Sequence, residues 1–361
     1  HKKPSGVWIM AYTTIDNPEL HFQAKVYTAD SSANRLITLD GSENMQPDWV
    51  WMKNRDQSVN HDLYDSVRGT TKYISSNKIN AEATNADGLV GFNTDGFTVD
   101  TSWGNISTGN SYIAWCWKAG GSASNNTDGT TTVSLSLNLT AGFSIGTYTG
   151  TSAAATIGHG LGAVPHWIMI KNRSSGSRKW AIWHNDLSGT NKYLAIDRTD
   201  AELTDTATWN NTAHTSSVFA SGGSGEVNQG SENFVFYAFK PIKGYSKFGS
   251  YTGNGNADGT FVYTGFKPAW LMIKQINSGG NDWLMYDNKR DTFNVANKLL
   301  VANANGTEAT GQSFNYIDLL SNGFKLRGSD ARNNGSGGTM IYMAFAESPF
   351  VNSNGVPNNA K

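Results

Sequence analysis

The chain repeats one passage three times at long range. Pro47-Asp48-Trp49-Val50-Trp51-Met52-Lys53-Asn54-Arg55 returns as Pro165-His166-Trp167-Ile168-Met169-Ile170-Lys171-Asn172-Arg173, and again as Pro268-Ala269-Trp270-Leu271-Met272-Ile273-Lys274-Gln275. The offsets are 118 residues (47 to 165) and 103 (165 to 268). Common solenoid and propeller units are roughly 20–50 residues long, so a period of this size makes each copy domain-sized.

Other landmarks keep the same order in every copy. A Tyr-Thr pair precedes the passage at Tyr27, Tyr148 and Tyr251. After it, Tyr64-Asp65-Ser66-Val67-Arg68 answers Tyr286-Asp287-Asn288-Lys289-Arg290, with Trp183-His184-Asn185 in that place in the middle copy. Each copy ends on an apolar run: Tyr112–Trp117, Phe234–Phe239 and Met340–Phe345. Val7–Tyr12 resembles those closing runs, so residues 1–17 read as the end of an upstream copy or as a strand completing the first. The expected parent protein is then longer than this chain.

The tryptophan passages are short, rich in aromatic and β-branched residues, and bounded by proline before and polar residues after. That is the pattern of strands buried on both faces. Turn signals such as Asp95-Gly96, Asp128-Gly129, Asp258-Gly259 and Asn322-Gly323 separate the runs. The predicted fold is all-β: three tandem β-sandwich repeats of jelly-roll or concanavalin-like type, with one closed pseudo-threefold β structure as the alternative. The expected division is 18–122 for the first repeat, 140–242 for the second and 243–361 for the third. A Gly/Ser/Asn/Thr-rich linker over 123–139 reads as the loosest join. Ile79–Ala83 and Asp200–Leu203 are the weak helical candidates.

Composition limits function. The formal net charge of −1 gathers no polyanion, which disfavours nucleic acid as a partner. No stretch approaches the roughly 20 apolar residues of a membrane helix. Only 16% of residues are charged, a β-rich composition expected of an outward-facing protein. Cys116 stands alone between Trp115 and Trp117 and is read as a small buried apolar residue, so no disulfide framework is expected.

Catalytic patterns are missing from the sequence. Retaining glycosidases need two carboxyls about 5 Å apart, and no strand carries acidic residues in alternation. Glutamate occurs at eight positions, all read as loops or turns. An enzyme is not expected. Asn254, Asn256 and Asp258 copy the first half of a calcium loop, but Gly265 stands where the bidentate glutamate belongs, so a hairpin turn is the preferred reading and calcium the weaker one. No other cofactor is implied. The Asp-x-x-Arg elements at Asp65 and Asp287 are read as charge-assisted pairs that fix turns. Recognition is sought where the copies differ: Trp103, Trp180, Trp209 and Trp283, with Asn281 and Asp282 beside the last. Flat indole faces suit a pyranose, and neighbouring amides and carboxylates suit its hydroxyls.

Taken together, Pro47–Arg55, Leu63–Tyr73, Phe92–Thr98 and Ala114–Gly121 resemble a family of repeat-bearing proteins of marine tailed bacteriophages, cyanophage-like viruses among them. Those proteins are described as tail-fibre-like or virion structural proteins with concanavalin-like modules. The resemblance covers about residues 22–350 and brings no catalytic residues. It implies a virion-exposed, extracellular fibre or adhesion module. Such a module binds host surface glycan through many weak contacts, associates with itself, often as a trimer, and meets other virion proteins. A purely structural capsid, tail or filament subunit is the alternative, and a glycan depolymerase the second alternative.

Overall fold

A computed structural model describes residues 12–101, 108–310 and 316–359. Within each repeat an opening strand (Phe22–Thr28, Phe143–Thr149, Ser246–Thr252) pairs antiparallel with the closing strand (Ser111–Trp117, Asn233–Phe239, Thr339–Pro349). The closing strand pairs in turn with the tryptophan strand (Trp49–Asn54, Trp167–Asn172, Phe266–Gln275), and that strand with a short turn strand (Asp62–Asp65, Ala181–His184, Leu284–Asp287). A small outer sheet lies beside each main sheet. The fold is all-β and sandwich-like.

Strand alternation sends successive side chains to opposite faces, and here both faces find a core. In the first repeat Val50, Met52, Ala114 and Cys116 face the outer sheet with Phe97 and Val99. Trp49, Trp51, Trp115 and Trp117 face the other way, into a cluster shared with Phe143, Trp167, Tyr237 and Phe239 of the second repeat and Trp270 and Phe345 of the third. Trp49 stacks on Tyr237 at 4.4 Å, Trp117 meets Trp270 edge-on at 5.5 Å, and Phe22 stacks on Phe345 at 5.4 Å. The repeats are therefore not separate beads: three sandwich-like units back onto one core, the closed arrangement read as the alternative. Cys116 is fully buried, and burial pushes its thiol well above the ordinary range.

Three local expectations change. The supposed linker holds strands Ser124–Asn126 and Val133–Asn138, and Val133 and Leu135 are buried against the second repeat. Its serines and asparagines form ladder bonds to the opening strand, which composition alone does not reveal. The two helical candidates are not helices: Ala83–Thr84 and Leu203–Thr204 are short strands, and Ala331–Asn334 is the α-helix among the described residues. Glu347, read as a loop residue, lies in the last closing strand. Gly96 and Gly323 occupy equivalent turns where a Cβ would lie 2.0 Å from the Ile37 carbonyl oxygen and 2.1 Å from that of Val262, so both turns require glycine.

The joints between repeats are built alike. Arg68 donates from its backbone N–H to Asp65 (2.8 Å), pairs its Nε with the same carboxylate, and reaches the Leu63 carbonyl at 2.8 Å. Arg290 does the same with Asp287 (2.7 and 2.6 Å) and the Met285 carbonyl (3.0 Å). The neighbouring repeat then closes each carboxylate: the Tyr237 hydroxyl donates to Asp65 at 2.6 Å, and the Trp115 indole to Asp287 at 3.0 Å. A second carboxylate bridges outward. Glu82 takes Arg68 at 3.2 Å and Arg173 of the second repeat at 2.9 Å, as Glu308 takes Arg290 at 3.2 Å and Arg55 of the first repeat at 2.9 Å.

The third joint has lost its aspartate and both arginines together. Register places His184 where the others have Asp65 and Asp287, and Met343 where they have Tyr237 and Trp115. Leu187 and Ile276 stand in the two arginine positions. Only the backbone bond survives: Glu202 N–H donates to the Ile276 carbonyl at 2.9 Å, matching Glu82 to Arg173 and Glu308 to Arg55. With no donor across from it, a buried carboxylate there would be uncompensated, so a neutral imidazole fits. His184 accepts the Asp186 N–H at Nδ1, places Nε2 3.3 Å from the Tyr342 carbonyl, and is held by burial at about 4.

Two outcomes follow from this arrangement. Thermal unfolding should be one transition by both tryptophan fluorescence and far-UV circular dichroism, because the aromatic core belongs to all three repeats; two or more separated transitions would refute the shared core. Asp65→Asn leaves the fully buried Arg68 with Glu82 as its remaining carboxylate and should cost about 3–5 kcal/mol in urea unfolding, whereas Glu202→Gln in the joint without arginines should cost under about 1 kcal/mol. Equal losses would contradict the assigned joints.

Candidate functional site

Three of the four tryptophans expected to face ligand are interior residues. Trp180, Trp209 and Trp283 are 0, 0 and 1% exposed. Trp180 and Trp283 hold the same position in their repeats, and each sends its indole N–H into the preceding one: Trp180 to the Ser75 carbonyl at 3.0 Å, Trp283 to that of Ala195 at 3.1 Å. Lys171 and Lys274 lie 5.8 and 6.0 Å over those two rings. Their ammonium groups donate to carbonyls of the adjoining repeat, Ile79 at 2.9 Å and Thr199 at 3.1 Å. Burial lowers both lysines to about 8. Trp209 packs edge-on against Trp183 and His214 at 6.1 and 5.3 Å.

The polar neighbours are engaged as well. Asn281 is buried and its carbonyl takes Lys274 at 2.5 Å, while Asp282 accepts from Asn303 at 2.9 Å and pairs with Arg332 at 3.3 Å. Trp103 lies outside the described residues. In the candidate calcium loop, Asn254 accepts from Asn256 N–H and from the Asn334 amide, each at 3.0 Å, and Asp258 pairs with Lys325 at 2.8 Å. The chain's own donors thus occupy Asn254 Oδ1 and one Asp258 oxygen. Among the described residues, no three His, Cys, Asp or Glu side chains are placed to hold a metal.

The surface that does gather polar groups lies between the first two repeats. The connector from the first closing strand to the second opening strand runs from Lys118 to Gly142, whereas its counterpart between repeats two and three runs only from Lys240 to Tyr245. The longer path opens a cleft of about 680 Å³ bordered by His21, Asn44, Gln46, Asp48, Thr94, Lys118, Leu137, Asn138, Leu139 and Thr140. Its size is that of a small-molecule site.

Some of its walls are fixed. Asp48 is buried, accepts from Ser66 at 2.8 Å and from Gly121 N–H at 3.2 Å, and is raised above the usual carboxylate value by burial despite those bonds. Asn138 donates to the Lys118 carbonyl at 3.0 Å and lies 3.1 Å from His21 Nδ1. Burial first, and then Lys118, lower His21 to about 4. By contrast, the side chains of Asn44, Gln46, Thr94, Lys118 and Thr140 make no hydrogen bond or ion pair within the described chain. Leu139 is 53% exposed beside them. The arrangement offers amide donors and acceptors, hydroxyls, one cation and an apolar edge. Sequence reasoning passed it over because its parts come from segments spread over residues 21–140; the one available signal was the inequality of the two repeat offsets.

Residues 17–349 match the model of a family described as a domain of unknown function, DUF7483. The chain belongs to that family. No curated protein matches it. The matched stretch spans all three repeats and their joints.

Six histidines of this DUF7483 chain carry depressed values caused by burial: His21 and His184 at about 4, His214 at about 3, with His61, His159 and His166 also lowered. The unfolded chain takes up those protons near pH 6.5 and the folded one does not, so stability falls as pH drops from about 6.5 to about 4. Asp62, raised to about 7 by burial, and Asp48 and Asp197, also raised by burial, oppose this with three groups against six. The melting temperature by calorimetry should therefore decline through that window; a flat or rising profile would count against the buried neutral histidines.

Proposed function

We propose that this chain is a virion-exposed fibre or adhesion module of a bacteriophage that binds host surface glycan in the cleft between its first two repeats. The observation that carries the reading is the convergence of Asn44, Gln46, Thr94, Lys118 and Thr140 on that cleft with no partner inside the described chain. Saccharide hydroxyls donate and accept, and side-chain amides, threonine hydroxyls and an ammonium group match them. Leu139 supplies an apolar edge for a ring face. A small, wet, polar site of this kind gives weak affinity. Presenting several copies through self-association raises avidity without any new contact. The β-rich composition, low in charge, and the resemblance to phage fibre proteins support an extracellular place on the virion, beside other virion proteins.

A second reading, a purely structural capsid, tail or filament subunit, is favoured by one observation: Trp180, Trp209 and Trp283 serve the interior and present no stacking face. Glycan-array binding separates the two. The chain should bind polysaccharide from its host's surface, and Gln46→Ala with Lys118→Ala should weaken binding at least about tenfold, near 1.4 kcal/mol, with an unchanged melting temperature. Absence of binding to any host glycan, or binding indifferent to both substitutions, would leave the structural subunit as the better account. Release of reducing ends from that polysaccharide would instead establish a depolymerase.

A further inference from the structure

The second repeat closes one side of its sandwich with its own chain, and among the described residues the other two place no strand there. Val133–Asn138 adds to the outer edge of the opening strand Phe143–Thr149, pairing Asn138 with Phe143, Leu137 with Ser144 and Ser136 with Ile145. The same segment then reaches the outer sheet. Thr131 bridges Ile157 in parallel, Thr130 N–H donates to the Thr156 hydroxyl at 2.9 Å, and Thr156 N–H to the Thr130 hydroxyl at 2.8 Å. Among the described residues, no strand pairs with the outer edge of Phe22–Thr28 or of Ser246–Thr252. The outer-sheet edges beside them, Arg35–Ile37 and Phe261–Tyr263, likewise have one neighbour each.

The open sides carry marks of a missing strand. Leu36 is 54% exposed in the first repeat, and Phe261 and Tyr263 are 45 and 47% exposed in the third. By register Leu36 and Phe261 are the counterparts of Thr156, which the connector covers in the second. Edge lysines commonly guard bare strands, but Lys25 is paired with Asp40 and Lys247 turns back to the Tyr263 carbonyl at 2.6 Å.

We infer that the open sides of the first and third repeats are acceptor sites for an extended strand of a partner chain in which valine or leucine alternates with small polar residues. The internal strand Val133–Asn138 supplies the template: Val-Ser-Leu-Ser-Leu-Asn buries its first two apolar residues against the sandwich while backbone bonds extend the sheet. Sheet extension of this sort draws affinity from the main chain and specificity from alternate side chains. The inference is independent of the glycan cleft.

A labelled, terminally blocked peptide with the sequence of residues 130–140 should be titrated with the whole protein by fluorescence anisotropy, and the complex followed by amide hydrogen exchange. Saturable binding is expected below about 1 mM, with new protection over 22–28 and 246–252. Phe261→Glu should reduce the protection over 246–252 and spare 22–28, and Leu36→Glu should do the reverse. A peptide in which each apolar residue changes places with the polar residue after it should bind at least tenfold more weakly, since a one-residue slip turns every side chain to the other face. No saturable binding, protection confined to 143–149 from exchange with the chain's own strand, or edges already protected without peptide would each overturn the proposal.

Discussion

The structure depends on one constraint: the tryptophan and closing strands have no solvent face. Alternation along Trp49–Asn54 and Ser111–Trp117 sends one set of side chains to the repeat's own outer sheet and the other, mostly indole rings, to the centre. A sheet with two apolar faces and one outer layer cannot stand alone in water, so the second face must meet another copy. Three copies meeting at Trp49, Trp117, Tyr237, Trp270 and Phe345 satisfy that need for all three at once. The rings lie 4.4 to 6.0 Å apart in stacked, tilted and edge-on pairs, the separations at which aromatic pairs gain beyond the area they bury.

The joints add direction to that packing. A hydrophobic centre is permissive about rotation, whereas an aspartate that must receive an arginine from its own turn and a hydroxyl or indole from the next repeat is not. Burial by itself would raise the Asp287 carboxyl; the Arg290 guanidinium outweighs it and holds the group below the ordinary value. Burial would likewise raise Glu82, and Arg173 and Arg68 outweigh it. Where the donor became Met343, the acceptor became His184 and both arginines became Leu187 and Ile276. The internal repeat thus records which residues act as a unit, because losing one buried partner leaves the others costly.

The legible parts of the sequence were those with local causes. Alternation, turn glycines and the Asp-x-x-Arg spacing act within a few residues, and the structure holds them as read. Trp180, Trp209 and Trp283 were misread for the opposite reason. Trp180 sits among Arg178, Lys179 and polar turns, and the carbonyl that satisfies its indole is that of Ser75, 105 positions away. Residues 123–139 were misread as a linker because serine and threonine strands look like linkers until a partner edge is known. Trp51 and His61 form a bond within one repeat that mimics the same anchoring, which shows how the role persists while the residue at the position changes.

One length difference accounts for both of the surfaces that the interior does not explain. The connector from Lys118 to Gly142 is long enough to run back along the second repeat, cover its opening edge and its outer sheet, and then turn into the next strand. In doing so it lines the cleft with Leu137–Thr140, tied to the Lys118 carbonyl through Asn138, and it consumes a strand edge to which, among the described residues, no strand is added in the first and third repeats. The short connector from Lys240 to Tyr245 bonds back on itself, with Tyr245 and Ser246 N–H both on the Ile242 carbonyl at 2.9 Å, and does neither. The three repeats are alike inside because the shared core and joints demand it. They differ outside because a surface loop is free to lengthen at small cost in chain entropy, and it is that freedom which gives this threefold body unequal sides.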